Sequence, residues 1–180
     1  MVVFHTEGFS SVFDGTIIDI ETIGEFCREY SDSRLYKYIV PIIFGYIDKG
    51  GLNIYCAKSH DSLDTLRGKV SGILPILKRP FSAFNCCFEV GVLHHAWGVE
   101  LPFDRELNKE KYEPKYEIRC NLGISNYNDP FNDIGRLCKE AWERGDINNA
   151  IAHNRSCLLK ERDVMLKRGY RDPDIINLYK

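Results

Sequence analysis

Thr16-Ile17-Ile18-Asp19-Ile20-Glu21-Thr22 sets two carboxylates two residues apart inside a run of strand-forming residues. Side chains at i and i+2 leave a strand on the same face, so Asp19 and Glu21 point together. Two like charges held side by side are costly unless a cation sits between them or one stays protonated. A divalent metal is the commonest solution in a strand of this kind.

Outward from that strand, read over about 12–21, two more strands follow at 38–47 and 52–57. Asp48-Lys49-Gly50-Gly51 supplies positive-φ turn chemistry between them, which predicts an antiparallel meander. Leu63, Leu66, Val70, Ile73, Leu74 and Leu77 fall at helical spacing over 62–78, with Ser62 as N-cap and Pro75 ending the pattern early. A short strand is expected at 80–84, a helix at 86–97 closed by Gly98, and a final strand at 99–103. The polar interval 108–129 reads as an irregular, exposed insertion. Two helices finish the chain, 131–144 broken by Gly145-Asp146, then about 147–167 with Asp146 as N-cap and Gly169 and Pro173 beyond.

With 180 residues, 44% apolar and 28% charged, the chain reads as a single folded domain over 1–180. A net charge of −2 excludes a protein that coats nucleic acid by bulk electrostatics, while leaving room for a local basic patch. The longest apolar stretch, 38–47, contains Pro41 and is too short to cross a bilayer. No basic leader followed by an apolar segment opens the chain, so an intracellular, cytoplasmic protein without a membrane partner is expected. Seven cysteines without a C-x-x-C pair indicate neither a zinc knuckle nor a disulfide framework, and most read as buried thiols. Adjacent His94-His95 point in different directions and are assigned no metal.

The order of three strands, helix, strand, helix, strand and terminal helices is that of a ribonuclease-H-like α/β domain. Asp19-Ile20-Glu21-Thr22 matches D-x-E-T, and Asn85-Cys86-Cys87-Phe88-Glu89 is similar to a second motif in which Asn precedes x-x-F-D at a helix start. His153-Asn154-Arg155-Ser156-Cys157 is similar to a third, in which Tyr or His and then Asn precede an Asp near the chain end. On these motifs the chain resembles the DEDD 3′–5′ exonuclease superfamily, in order over nearly its whole length. The resemblance implies a mixed sheet of three antiparallel and then parallel strands with flanking helices. It also implies two-metal phosphodiester hydrolysis of single-stranded DNA or RNA from a 3′ end, with Mg²⁺ or Mn²⁺. Two ions are expected, though one would serve. Asp19 would bridge the metals, Glu21 and Glu89 would complete the shell, and His153 would take the proton from the attacking water. A histidine suits that role because its pKa lies near working pH.

Two positions depart from the pattern. Glu89 keeps the charge of the usual Asp with one more methylene, whereas Cys157 puts a soft thiol where the fourth Asp would be. Residues 153, 157 and 161 stack along one helix face, which offers Glu161 as a substitute. Three outcomes are open: Glu161 supplies the fourth carboxylate, the site works with one tight metal, or the domain is degenerate and binds without cutting. Thr22, Asn85 and Asn154 are candidate substrate contacts, the two asparagines equally candidates for bonding to the loops around them. Lys78, Arg79, Lys109, Lys111, Lys115, Arg119, Arg155, Lys160 and Arg162 interleave with Tyr112, Tyr116 and Tyr127 in the manner of single-strand binding. A solvated charged loop with Glu110, Glu113 and Glu117 explains the insertion's share equally well. The rival functions are a nucleic-acid or protein adaptor on the same fold and an endonuclease on the same scaffold.

Overall fold

In a computed structural model describing residues 1–9, 12–110 and 113–179, the acidic strand β2 (Thr16–Gly24) lies inside a six-stranded mixed sheet. Its companions are β1 (Val2–Glu7), β3 (Ile39–Asp48), β4 (Gly51–Ala57), β5 (Phe81–Ala83) and β6 (Arg105–Glu106), in the spatial order β1-β4-β3-β2-β5-β6. β2, β3 and β4 form the antiparallel meander, β1 adds antiparallel to β4, and β5 and β6 continue parallel to β2. Ile17, Ile18, Ile42, Ile43 and Ile47 have no exposed surface. Such central strands are covered on both faces, which is why they read as nearly continuous apolar runs.

The register pairs Ile20 with Phe44 and Asp19 with Gly45, so Phe44 marks one face of the sheet and Asp19 the other. On the Phe44 face, Trp97 of α2 (Cys86–Trp97) packs with ring centroids 6.4 Å apart. Arg67 of α1 (Leu63–Ile73) donates to the Trp97 carbonyl at 3.1 Å. On the Asp19 face lies α5 (Ile147–Arg168), and a Cβ at Gly45 would stand only 2.1 Å from Asn154 Oδ1. Glycine at that position lets the helix approach the strand. α4 (Gly135–Glu143) packs on α5 and β2, and Trp142 Nε1 donates to the Ala57 carbonyl at 2.5 Å.

Local chemistry accounts for the helix ends. Asn85 accepts from the Phe88 amide at 3.4 Å to start α2, Gly98 closes it at φ 69°, and Asp146 accepts from the Asn149 amide at 3.3 Å to start α5. Three expectations need correction, and one strand goes beyond them. β1 was not anticipated, and the strand expected at 99–103 is instead the two-residue β6, because Pro102 interrupts the apolar run. The helix expected over 131–144 begins only at Gly135, since Tyr127, Asn128, Asn132 and Asp133 hold positive φ of 54°, 58°, 49° and 68°. The interval 108–129 is not wholly irregular: it contains the short helix α3 (Lys115–Asn121). Among the described residues no helix is long and apolar enough to cross a membrane.

Candidate metal centre

Asp19 and Glu21 project from β2 into a cleft of about 630 Å³ that Thr22, Phe26, Phe84, Glu89, Lys115 and His153 also line. Three elements converge there. Asn85 sets the start of α2, so Glu89 arrives on its first turn and is only 3% exposed. α5 brings Asn154 against Asp19: its Nδ2 donates to Asp19 Oδ2 at 2.7 Å and to the Asp19 carbonyl at 3.3 Å. Asn154 has no exposed surface, so it orients Asp19 and does not face a substrate. Glu161 is likewise fully buried and turned into the cluster, its Oε1 accepting from Lys115 Nζ at 2.7 Å. Asn85 and Thr22 do reach the cleft wall.

Four carboxylates therefore meet two cationic side chains. Lys115 Nζ lies 3.6 Å from Asp19 Oδ1 and 4.9 Å from the Phe84 ring centroid, its ammonium inside the acidic cluster. Burial opposes that charge, but Cys157, Glu161 and Asp19 around it outweigh burial and hold Lys115 well above its ordinary pKa. Burial pushes Glu21 up to about 7, against the pull of His153 and with the added repulsion of Asp19. Burial, then the charges of Asp19 and Glu161, raises Glu89 well above the carboxylate range; burial also raises Glu161, despite Lys115. Glu89 Oε2 is buried without a hydrogen-bond partner. Glu161 Oε2 also lacks a donor while both acids are ionised, and shares a hydrogen bond with Asp19 only once one of the pair is protonated.

Such unpaired buried oxygens are rare because each carries its full desolvation penalty, and a bound cation removes it. The donor set fits a divalent ion. Glu21, His153 and Cys157 offer a second grouping, with one ligand atom from each all within 4.8 Å of one another. His153 Nε2 lies 3.5 Å from Glu21 Oε1 and 3.8 Å from Cys157 Sγ, while its Nδ1 lies 2.7 Å from Asp129 Oδ1. Burial would lower the imidazole, but Cys157, Glu21 and the Asp129 hydrogen bond overcome it and push His153 up to about 12. In this state His153 is a counter-charge with both nitrogens protonated. The general-base role needs one of those protons displaced, which a cation beside Glu21 would do.

Asp129 and Lys115 are the functional residues that the motifs did not single out. Asp129 precedes a proline and reads as a turn residue, yet it is 5% exposed, accepts from Lys160 Nζ at 2.6 Å and receives the Phe131 and Asp133 amides at 2.9 Å. Burial alone would raise it; His153 and Lys160 together hold it below the usual carboxylate range. Much of the expected basic strip is paired within the molecule. Lys160 is fully buried between Asp129 and Asp133, Arg155 pairs with Glu7, Arg162 with Asp163, and Arg119 with Asp133 at 3.1 Å. Tyr127 donates to Asp163 as well. Lys111 and Tyr112 lie outside the described residues. Besides His153, the cationic side chains that line the cleft are Lys115 and, on α4, Arg136 and Lys139, and the rings of Phe26, Phe84 and Phe88 line it too. No family model, curated protein or solved structure gives a significant match to this chain.

Proposed function

We propose that the protein is a ribonuclease-H-like, metal-dependent nuclease that hydrolyses single-stranded DNA or RNA from the 3′ end. The observation that carries this reading is the convergence of Asp19, Glu21 and Glu89 from β2 and α2 on one cleft, with Glu161 of α5 buried beside them through Lys115 and carboxylate oxygens of Glu89 and Glu161 without donors. The antiparallel meander continued by strands parallel to β2 supports the fold assignment. Glu161 supplies the carboxylate that Cys157 does not. Asp19, Glu21 and Glu89 would hold Mg²⁺ or Mn²⁺, which when bound stabilises charge on the scissile phosphate and acidifies water. Asn154 fixes the Asp19 carboxylate in one orientation. Lys115 neutralises Asp19 and Glu161, so one ion beside this ammonium satisfies the cluster, in place of two. Phe26 and Phe88 line the cleft where an unpaired base would stack, and Arg136 and Lys139, paired with Glu140 and Glu25 at the surface, would exchange those partners for the phosphate behind it.

A catalytically silent adaptor is the second reading, favoured by one observation: Lys115 already neutralises part of the site. The two separate in one experiment. Wild type and Asp19→Asn are incubated with 5′-labelled single-stranded DNA and RNA, in Mn²⁺ and in EDTA. A ladder of shortened products that needs the ion and vanishes in the variant is expected. Substrate left intact by folded wild-type protein would leave the adaptor, and internal fragments would point to an endonuclease.

A further inference from the structure

We propose that Glu21, His153 and Cys157 form a three-donor site for a zinc-class transition metal, with the fourth position open to the cleft. The inference rests on reading this cleft as a metal centre, and does not require that it cleave a phosphodiester. Zinc bonds of about 2.3 Å to sulfur and about 2.0 Å to nitrogen and oxygen, at tetrahedral angles, separate S from N by about 3.6 Å and N from O by about 3.3 Å. The observed separations are 3.8 Å for Cys157 Sγ to His153 Nε2 and 3.5 Å for His153 Nε2 to Glu21 Oε1. Two of the three separations therefore stand within a few tenths of an ångström of the ligated arrangement, and the third, from Cys157 Sγ to Glu21, is no more than 4.8 Å, which leaves side-chain rotation of Glu21 or Cys157 to close the site.

A second feature is independent of those distances. Asp129 Oδ1 holds His153 Nδ1 at 2.7 Å, which turns Nε2 toward Glu21 and Cys157. A carboxylate on the far nitrogen of a histidine is the usual device that orients an imidazole ligand and raises its basicity. Asp129 is itself fixed by Lys160 and by two backbone amides, so the orientation is built into the fold and does not depend on a mobile contact. The three donors all line the cleft, which leaves a face of the ion for water or a substrate oxygen, as in catalytic zinc sites.

Donor chemistry selects the ion. A thiolate, an imidazole and a carboxylate suit Zn²⁺ or Co²⁺, whereas Mg²⁺ prefers an all-oxygen octahedral shell. Loading releases the Cys157 thiol proton and the extra proton of His153, leaving thiolate, neutral imidazole and carboxylate on the metal. On this arrangement His153 is a ligand, and the base is a different group.

Titration of the full-length chain with Co²⁺ tests the site, because sulfur-to-cobalt charge transfer absorbs in the near ultraviolet only when a thiolate is bound. Cys120→Ser serves as the background, removing the exposed thiol. Expected is a charge-transfer band that saturates at one equivalent, is abolished by Zn²⁺ and survives excess Mg²⁺. Cys157→Ser should lose the band, with folding checked by circular dichroism; Glu21→Gln, which leaves the other donors in place, should weaken binding whether or not the serine variant folds. Asp129→Asn should keep the band while binding falls about 10- to 100-fold, a signature that a merely structural role would not produce. Cobalt bound without the band, a band that survives in folded Cys157→Ser, or no binding at all overturns the inference. A thiolate band without hydrolysis leaves this site standing and removes the nuclease reading; Mg²⁺-dependent cleavage without the band does the reverse.

Discussion

Replacing Lys115 with methionine removes the only ammonium that touches both Asp19 and Glu161 among the described residues, while keeping an apolar stem against Phe84. At an effective dielectric of about 20, the contacts at 2.7 Å and 3.6 Å correspond to gross attractions of about 6 and about 5 kcal/mol. Most of that is offset by the cost of desolvating three charges, and breaking one partner out of a buried ion pair typically costs about 3–5 kcal/mol. In a domain of this size each kcal/mol moves Tm by about 2–4 °C, so a fall of about 6–20 °C is expected in metal-free protein at pH 7.5. The loss should shrink as pH falls, because Glu161, raised by burial, takes up its proton at a higher pH than an ordinary carboxylate and is then no longer a charge left unpaired. Mn²⁺ should restore much of the stability by entering the space between Asp19 and Glu161, raising the bound stoichiometry from one ion to two. Thermal unfolding with and without Mn²⁺, together with equilibrium dialysis, measures both effects. A loss below about 1 kcal/mol that does not vary with pH, and an unchanged stoichiometry, would refute the argument: Lys115 would then behave as a surface lysine.

Three further outcomes follow from the same geometry. Cys157→Asp adds a hard donor next to Glu21 and should lower metal-free stability at pH 8 by about 1–3 kcal/mol through like-charge crowding, while Mg²⁺ affinity measured by calorimetry rises at least about tenfold. Gly45→Ala would place a Cβ 2.1 Å from Asn154 Oδ1 and 2.8 Å from Leu158 Cδ1, so denaturant unfolding should show a loss of about 1–3 kcal/mol, with weaker metal binding as Asn154 leaves Asp19. Glu21, raised from 4.5 to about 7, binds its proton more tightly folded than unfolded; its contribution is complete below pH 4.5 and is lost as pH rises through 7, worth about 3 kcal/mol. Metal-free Tm should therefore fall over that window, and the stabilisation by a divalent ion should grow over the same window; a metal-induced shift that is flat with pH would count against ionised Glu21 as a ligand.

What could be read from the chain is what is local. The alternation around Asp19 and Glu21 marks its strand because side-chain direction there depends only on backbone period. The four-residue spacing of His153, Cys157 and Glu161 places Glu161 in the cluster for the same reason. β1 carried a readable signal in Val2-Val3-Phe4, whereas β6 did not, since two polar residues have no period and are ordered by hydrogen bonding to β5, to Arg171 and to the start of α2. Lys115 and Asp129 were opaque for a different reason. A lysine in a polar segment and an aspartate before proline have ordinary solvated roles, and only the acids and the histidine that meet them in three dimensions change those roles. The pairing within the basic strip was hidden on the same ground, because the partners of Arg155 and Lys160 lie 148 and 31 or fewer residues away and charge composition cannot show pairing.

The two irregular features of the site bear on each other. Lys115 delivers one positive charge to the end of the cluster formed by Asp19 and Glu161, and so reduces the demand for an ion there. At the other end, Cys157 occupies a position between His153 and Glu161 on α5, one turn from each, where a carboxylate would have added a fifth acid to a cluster already short of cations. A neutral thiol avoids that repulsion in the metal-free state, and releases its proton only when a metal is present to take the thiolate. In the proposed site Cys157 supplies a soft donor beside Glu21 and His153, where a carboxylate would be a hard one. On the proposed reading of the cleft as a metal centre, Cys157 and Lys115 together would balance the cluster for a single ion with a resident ammonium. Paired replacement of Lys115 and Cys157 should therefore be non-additive, Lys115→Met and Cys157→Asp together binding the second Mn²⁺ ion more tightly than the sum of the two single variants predicts.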